Sequence, residues 1–272
     1  MLCSIKAILV NLLSPVVVTL ISLPTFAAYV PPTDQVPPRA RGGTAGRRSA
    51  CELAKPETKK QLILPATNSD LNGEFLGLVA LAPASHMGST VSDRPSLVWY
   101  THNCNSVSVQ LSIYEYDLGG SRLQPVPLFT QQLNAQPGIN RFRLPENTLQ
   151  PGKTYAWQVV AIADTPAKSA WFRIPLQVLE RSSDLERSLG LTNVAGARVE
   201  AYAKAGFWYD ALAAALDAGD QAQISSLLNQ LAQLEAQKEP REQPTNRRFS
   251  ESLTRVAKNM AKNPQVFQLS AK

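Results

Sequence analysis

The hydrophobic period of this chain changes once, near Glu180, and that change fixes the architecture it can adopt. Before it, Val107, Val109, Leu111 and Ile113 alternate with Ser106, Ser108, Gln110 and Ser112. A period of two turns one face to a core and the other to water. Tyr155, Trp157, Val159 and Ala161 repeat the pattern, as do Phe172, Ile174, Leu176 and Val178, and residues 97–100 and 141–144 are further strand candidates. Gly119-Gly120, Pro137-Gly138 and Pro151-Gly152 supply the turns. No helical segment separates the strands, so residues 74–180 are predicted to form an antiparallel β-sandwich rather than a parallel sheet.

One local pattern narrows the sandwich. Leu149-x-Pro151-Gly152-x-x-Tyr155, followed by Trp157 and Val159, resembles the corner of immunoglobulin and fibronectin type III-like sandwiches, where a Tyr at the start of a late strand bonds back to the preceding corner. After Glu180 the period becomes helical. Ser183-x-x-Glu186 reads as a capping box. Thr192 or Asn193 caps a second predicted helix running to Gly206, residues 207–217 form a third, and Asp220 caps a fourth whose Ile224, Leu227, Leu228, Leu231 and Leu234 share one stripe. The predicted class is α+β: a sandwich followed by a helical hairpin region over 181–237. Within it, Tyr202, Lys204, Gly206, Trp208, Asp210 and Ala211 resemble the interhelical turn of a tetratricopeptide repeat. A single such hairpin needs a docking surface. Docking on its own sandwich is the default, and a partner site around Tyr202, Trp208 and Tyr209 is the alternative.

The flanks differ in composition. Met1 to Lys6 is short with one basic residue, Ala7 to Leu23 is apolar, and Pro24-Thr25-Phe26-Ala27-Ala28 is a small-residue exit. This is the layout of a secretory signal peptide over 1–27, with an uncleaved anchor as the rival reading. Export to the periplasm or cell surface follows from either. Residues 28–73 are rich in Pro and Gly, with Arg39, Arg41, Arg47 and Arg48. They read as an extended basic linker able to bind anions. Cys51 and Cys104 are the cysteines outside the leader, and a bond between them would contribute on the order of 4 kcal/mol; two separate thiols are the alternative. In the polar tail, 238–272, Phe249, Leu253, Val256 and Met260 recur at helical spacing among Arg247, Arg248, Arg255, Lys258 and Lys262. That is either a basic amphipathic helix making peripheral membrane contact or a frayed terminal helix with a solvated charged face.

Leu78-Val79-Ala80-Leu81-Ala82-Pro83, then Thr90 to Pro95 and Leu97-Val98-Trp99-Tyr100, resemble the opening of a cyanobacterial exported family catalogued as domain of unknown function 928. The Arg-Gly-Gly before Cys51, the Pro137-Gly138 turn, the Tyr155 corner and Trp208-Tyr209-Asp210-Ala211-Leu212 follow in order. The resemblance implies a leader, an envelope or extracellular location, and no assigned activity or catalytic residues. Ala161-Ile162-Ala163-Asp164 stands where the family has further polar and cysteine-containing sequence, so a disulfide pattern does not carry over.

Chemistry is sparse. His86 and His102 are the only histidines, and no His-Glu-x-x-His, Gly-x-Ser-x-Gly, P-loop or Cys-x-x-Cys spacing occurs, which removes the main sequence support for zinc and serine hydrolases, nucleotide enzymes and thioredoxin-like enzymes. No metal, cofactor or catalytic residue is assigned. His102 and Cys104 share a strand face and could pair as base and nucleophile, but a structural Cys104 is the commoner outcome. Glu115 and Asp117 share one strand face before a turn, where solvated turn carboxylates are commoner than a catalytic or calcium pair. Trp99, Tyr100, Tyr114, Tyr116 and Trp157 could stack on sugar rings, although alternating strand aromatics are more often core. The expected function is a non-enzymatic envelope module binding a protein or polysaccharide. An anionic polysaccharide or lipid binder using the basic arms is second, and an envelope hydrolase third. The formal +6 would suit nucleic acid, but residues 74–180 sum to zero and 181–237 to −3. The basicity belongs to the flanks, and with export it makes nucleic acid an unsuitable partner.

Overall fold

The computed structural model describes residues 28–32, 44–45, 77–102, 106–117, 120, 122–162, 171–192, 194–238, 244–260 and 265–270. The expectations placed on the leader, on Arg39, Arg41, Arg47 and Arg48, and on Cys51 and Cys104 lie outside them. In chain order the strands are β1 (Thr44–Ala45), β2 (Leu78–Ala80), β3 (Gly88–Thr90), β4 (Ser96–Thr101), β5 (Val107–Glu115), β6 (Phe129–Ala135), β7 (Gly138–Arg143), β8 (Thr154–Ala161) and β9 (Trp171–Val178). Helices α1 (Ser183–Gly190), α2 (Ala195–Lys204), α3 (Trp208–Ala218), α4 (Gln221–Gln237) and α5 (Pro244–Met260) follow, then β10 (Val266–Leu269).

The strands form two sheets. One runs β1-β9-β8-β5-β6 with β3 also on β9, and the other β10-β7-β4-β2. The chain changes sheets between β2 and β3, so residues 81–87 cross the edge of the sandwich. The sheets are mixed, which corrects the wholly antiparallel expectation: β3 runs parallel to β9 and β10 parallel to β7. Alternation along one strand fixes which face it buries and is silent on the direction of its neighbour. Inside, the register aligns Ile113 with Trp157 and Ile174, and Leu111 with Val159 and Phe172, all buried. The Phe129 and Phe142 rings stack at 6.1 Å and join the two sheets. The Tyr155 hydroxyl accepts from the Gln150 N–H at 3.0 Å, the bond that the corner pattern predicts.

Every residue of β4 is buried, as in a strand covered on both faces. Helices supply the second cover: Asn259 on α5 donates to the Tyr100 hydroxyl at 3.4 Å, and Asp217 on α3 pairs with Arg141 of β7 at 2.5 Å. Asp220 caps α4 by accepting from Gln223 N–H. The cap of α1 is Ser182 rather than Ser183, and α2 starts after Val194 with no side-chain cap, because Thr192 Oγ1 instead accepts from the Val194 N–H in a local turn.

Two segments expected to be loose are packed. Phe249, Leu253, Val256 and Met260 of α5 are buried with the α4 stripe, and Ser225 of α4 donates to the Ala257 carbonyl at 3.1 Å. This corrects both readings of the tail: the apolar face that would have met a membrane is covered by the chain itself, and the helix is not frayed. At the other end, residues 28–32 cross the α2–α3 turn. Val30 N–H donates to the Ala203 carbonyl at 3.1 Å, and Gly206 (φ +81°) lets the Val30 carbonyl approach to 3.1 Å from where a Cβ would stand.

Candidate functional site: a closed polar junction and an open sheet face

The α3 N-terminus plugs the sandwich edge where the chain changes sheets. Trp208 Nε1–H donates to the Leu81 carbonyl at 2.9 Å, and the Tyr209 hydroxyl accepts from Trp157 Nε1–H at 2.9 Å. Tyr202, Trp208 and Tyr209 are 8%, 0% and 3% exposed. This corrects their assignment as a partner site: an aromatic hairpin without stacked repeats on either side buries its apolar surface on the nearest apolar edge, here its own sandwich. Asp210 follows with its carboxylate turned inward, accepting from Val91 N–H at 3.1 Å. Burial raises its pKa to about 6, opposed by hydrogen bonds from the Thr90 side chain and the Val91 backbone.

Beside this plug, Tyr29, Ser85, His86 and Glu235 meet from three distant parts of the chain. Tyr29 packs edge-on to Trp208 with centroids 4.9 Å apart. Its hydroxyl lies 3.1 Å from His86 Nε2, and Ser85 Oγ lies 3.3 Å from His86 Nδ1. Glu235 Oε1 accepts from Ala84 N–H, Ser85 N–H and the Ser85 hydroxyl at 3.0, 3.1 and 3.1 Å. Burial, then the Lys238 charge, lowers the His86 pKa to about 4, so the ring is neutral at pH 7 and its 3.8 Å approach to Glu235 is not an ion pair. Burial likewise raises the Tyr29 phenol, keeping it protonated. The consistent assignment runs one way: Tyr29 O–H to Nε2, Nδ1–H to Ser85 Oγ, Ser85 O–H to Glu235. Serine, histidine and carboxylate are thus together, but Ser85 and Glu235 lie on the same side of the ring and Tyr29 occupies the other. A nucleophile needs the ring between itself and the carboxylate. The cluster is a lock between loop 81–87, α4 and residues 28–32.

The solvent face of the first sheet is open. On it Thr130, Ser112, Gln158 and Arg173 align across four strands, with Ser112 itself buried beneath its neighbours. Ser112 Oγ lies 3.3 Å from Thr130 Oγ1, and Gln110 Nε2 donates to Ser112 Oγ at 3.3 Å. Arg173 donates to Gln158 Oε1 through Nε and Nη2 at 2.9 and 2.5 Å, with its guanidinium 5.1 Å from the Tyr114 ring centre. Trp171 stands one row away, in register with Val160. Both Tyr114 and Trp171 are half-buried.

The family model described as Domain of Unknown Function (DUF928) matches residues 44–244, from β1 to the first residue of α5. The chain belongs to the DUF928 family. No curated protein matches it. Among solved structures, a chitin binding domain from Burkholderia pseudomallei is similar at 17% identity and a TM-score of 0.24, over 36% of this chain and 61% of that one. A likeness that low carries no argument.

In this DUF928 chain the remaining sequence candidates separate. Trp99, Tyr100, Tyr116 and Trp157 are core, and of the five aromatics weighed as sugar platforms Tyr114 alone stays at the surface. Glu115 pairs with Lys153 at 2.9 Å, and Asp117 accepts from Arg122 N–H at 3.1 Å, so these two carboxylates hold an ion pair and a turn. Burial, then Arg255, lowers the His102 pKa. Among the described residues no three His, Cys, Asp or Glu side chains converge on a metal position, and no helix is long and apolar enough to cross a membrane. Sequence reasoning missed Trp171. Its signal was phase: it stands on the water-facing register of a strand whose Phe172, Ile174 and Leu176 face the core.

Proposed function

We propose that this DUF928 chain is an exported, non-enzymatic binding or assembly module of a cyanobacterial cell envelope, built on an immunoglobulin-like sandwich. The Tyr155–Gln150 corner bond and the pairing of β3 with the last sandwich strand support that sandwich type. The leader composition and the docking of Tyr29, one or two residues past the cleavage position, support a folded body that starts where the leader stops.

One observation carries the binding reading. The groups best suited to chemistry, Ser85, His86 and Glu235, are locked in a closed network, whereas the first sheet keeps an ordered face toward solvent. Binding faces need exposure and order, and active sites need an approach to the nucleophile. The test is incubation of the mature protein with envelope fractions, alongside ester, peptide and glycoside reporters. Saturable retention without turnover is expected. Turnover that disappears in Ser85→Ala while the variant remains folded would overturn the reading.

A further inference from the structure

The open face of the first sheet has an unusual composition. Glu115 and Arg173 are the only charged residues in β5, β6, β8 and β9, and Glu115 is occupied by Lys153. Outward positions of a sheet in water ordinarily include charges, which also discourage edge pairing. Here they are amides, hydroxyls and the uncharged Ala156, Val160 and Pro175, with two hydrogen-bonded groups, Gln110–Ser112–Thr130 and Arg173–Gln158, and an aromatic ring at each of two opposite corners. Strand geometry puts Tyr114 and Trp171 about 16 Å apart, four residues along and two strands across. That is the span of a short oligosaccharide lying flat.

We propose that this strip binds an extended, neutral polysaccharide, with Trp171 and Tyr114 as platforms at its ends and Gln110, Gln158 and Arg173 as hydrogen-bonding groups between them. The inference rests on the binding-module reading and adds the ligand class and the face. Sugar rings present C–H faces that lie on aromatic rings and rims of hydroxyls that exchange bonds with amides and alcohols. A single arginine, already bound by Gln158, leaves little field for a polyanion. Prior fixation of Arg173 and Gln158 lowers the side-chain ordering cost of binding.

The test is affinity electrophoresis of the mature protein in native gels containing hydroxyethylcellulose, galactomannan or soluble starch, with dextran sulfate as the polyanion. Retardation by at least one neutral polymer is expected, unchanged by salt. Trp171→Ala and Tyr114→Ala should each weaken it roughly tenfold, with unaltered thermal unfolding showing that the fold survives. No retardation in any neutral gel would overturn the inference. So would retardation confined to dextran sulfate and abolished by salt, or retardation indifferent to both aromatic substitutions. Sedimentation of the same variants decides the rival occupant: a wild-type dimer that the substitutions dissociate makes the face a contact between copies. Retention on envelope fractions without polysaccharide binding would sink this inference alone, while loss of both would sink the module reading too.

Discussion

Trp157 donates its indole N–H to the Tyr209 hydroxyl at 2.9 Å, joining the middle of β8 to the first turn of α3. Both residues are buried, so no water stands ready to replace the acceptor. Tyr209→Phe keeps the ring and leaves a buried donor without its partner. It should lower unfolding free energy by about 1–3 kcal/mol, with an unchanged denaturant slope. A loss under about 0.5 kcal/mol in urea titration would mean that the bond does not couple helix to sandwich.

Gly88 makes room for that tyrosine. A Cβ there would stand 2.8 Å from Tyr209 Cε2 and 3.3 Å from Pro83 Cδ. Gly88→Ala should therefore cost about 1–3 kcal/mol by overpacking. Combining it with Tyr209→Leu, which removes the clashing edge, should cost less than the sum of the two single changes. Additive losses in chemical denaturation would refute the steric origin.

Asp210 and His86 pull stability in opposite directions over the same pH range. The Asp210 carboxyl is raised to about 6, chiefly by burial. The folded state therefore holds that proton more tightly, and the group's contribution is greatest below the ordinary 3.8 and is lost as pH rises through 6. His86 is depressed to about 4, chiefly by burial. Its contribution is complete above 6.5 and is lost as pH falls through 4. Each amounts to roughly 3 kcal/mol across its window, so in the intact protein they largely cancel. Relative to wild type, Asp210→Asn should gain stability between pH 4 and 6, and His86→Gln should lose it between pH 4 and 6.5. Parallel pH profiles for wild type and both variants would contradict the assignment.

Residues 28–32 act as a structural part of the body. Tyr29 N–H donates to Gln230 Oε1 at 2.7 Å, its ring packs on Trp208, and its hydroxyl meets His86. Tyr29→Ala should destabilise by about 3 kcal/mol or more. It should also speed exchange of the Ala84 and Ser85 amides, whose acceptor Glu235 belongs to the same lock. Exchange at those amides matching wild type would separate the two halves of the cluster.

Strands β5, β8 and β9 were legible because each buries one face for seven residues or more, long enough for a period to register. β1, β3 and β10 have two to four residues apiece, too few to show alternation. The α5 stripe was visible from Phe249 to Met260, but its cover lies on α4, and local charge and proline content say nothing about a distant apolar partner. The same non-locality hid the lock: Tyr29, His86 and Glu235 are brought together by the fold from positions far apart. The helical hairpin's aromatics need a surface, as their spacing implies, but only the fold shows that the surface is the edge between β2 and β3.

Strand β10 has a consequence for partial chains. Val266 lies opposite Ile139 and Leu269 opposite Phe142, so the flank of β7 is finished by residues made long after it. Any product that stops short of Val266, through interrupted synthesis or trimming, presents the bare N–H and C=O row of β7, which invites pairing with another chain. With β10 in place the edge of that sheet is instead a strand of four residues, short enough to offer little template for pairing with another chain.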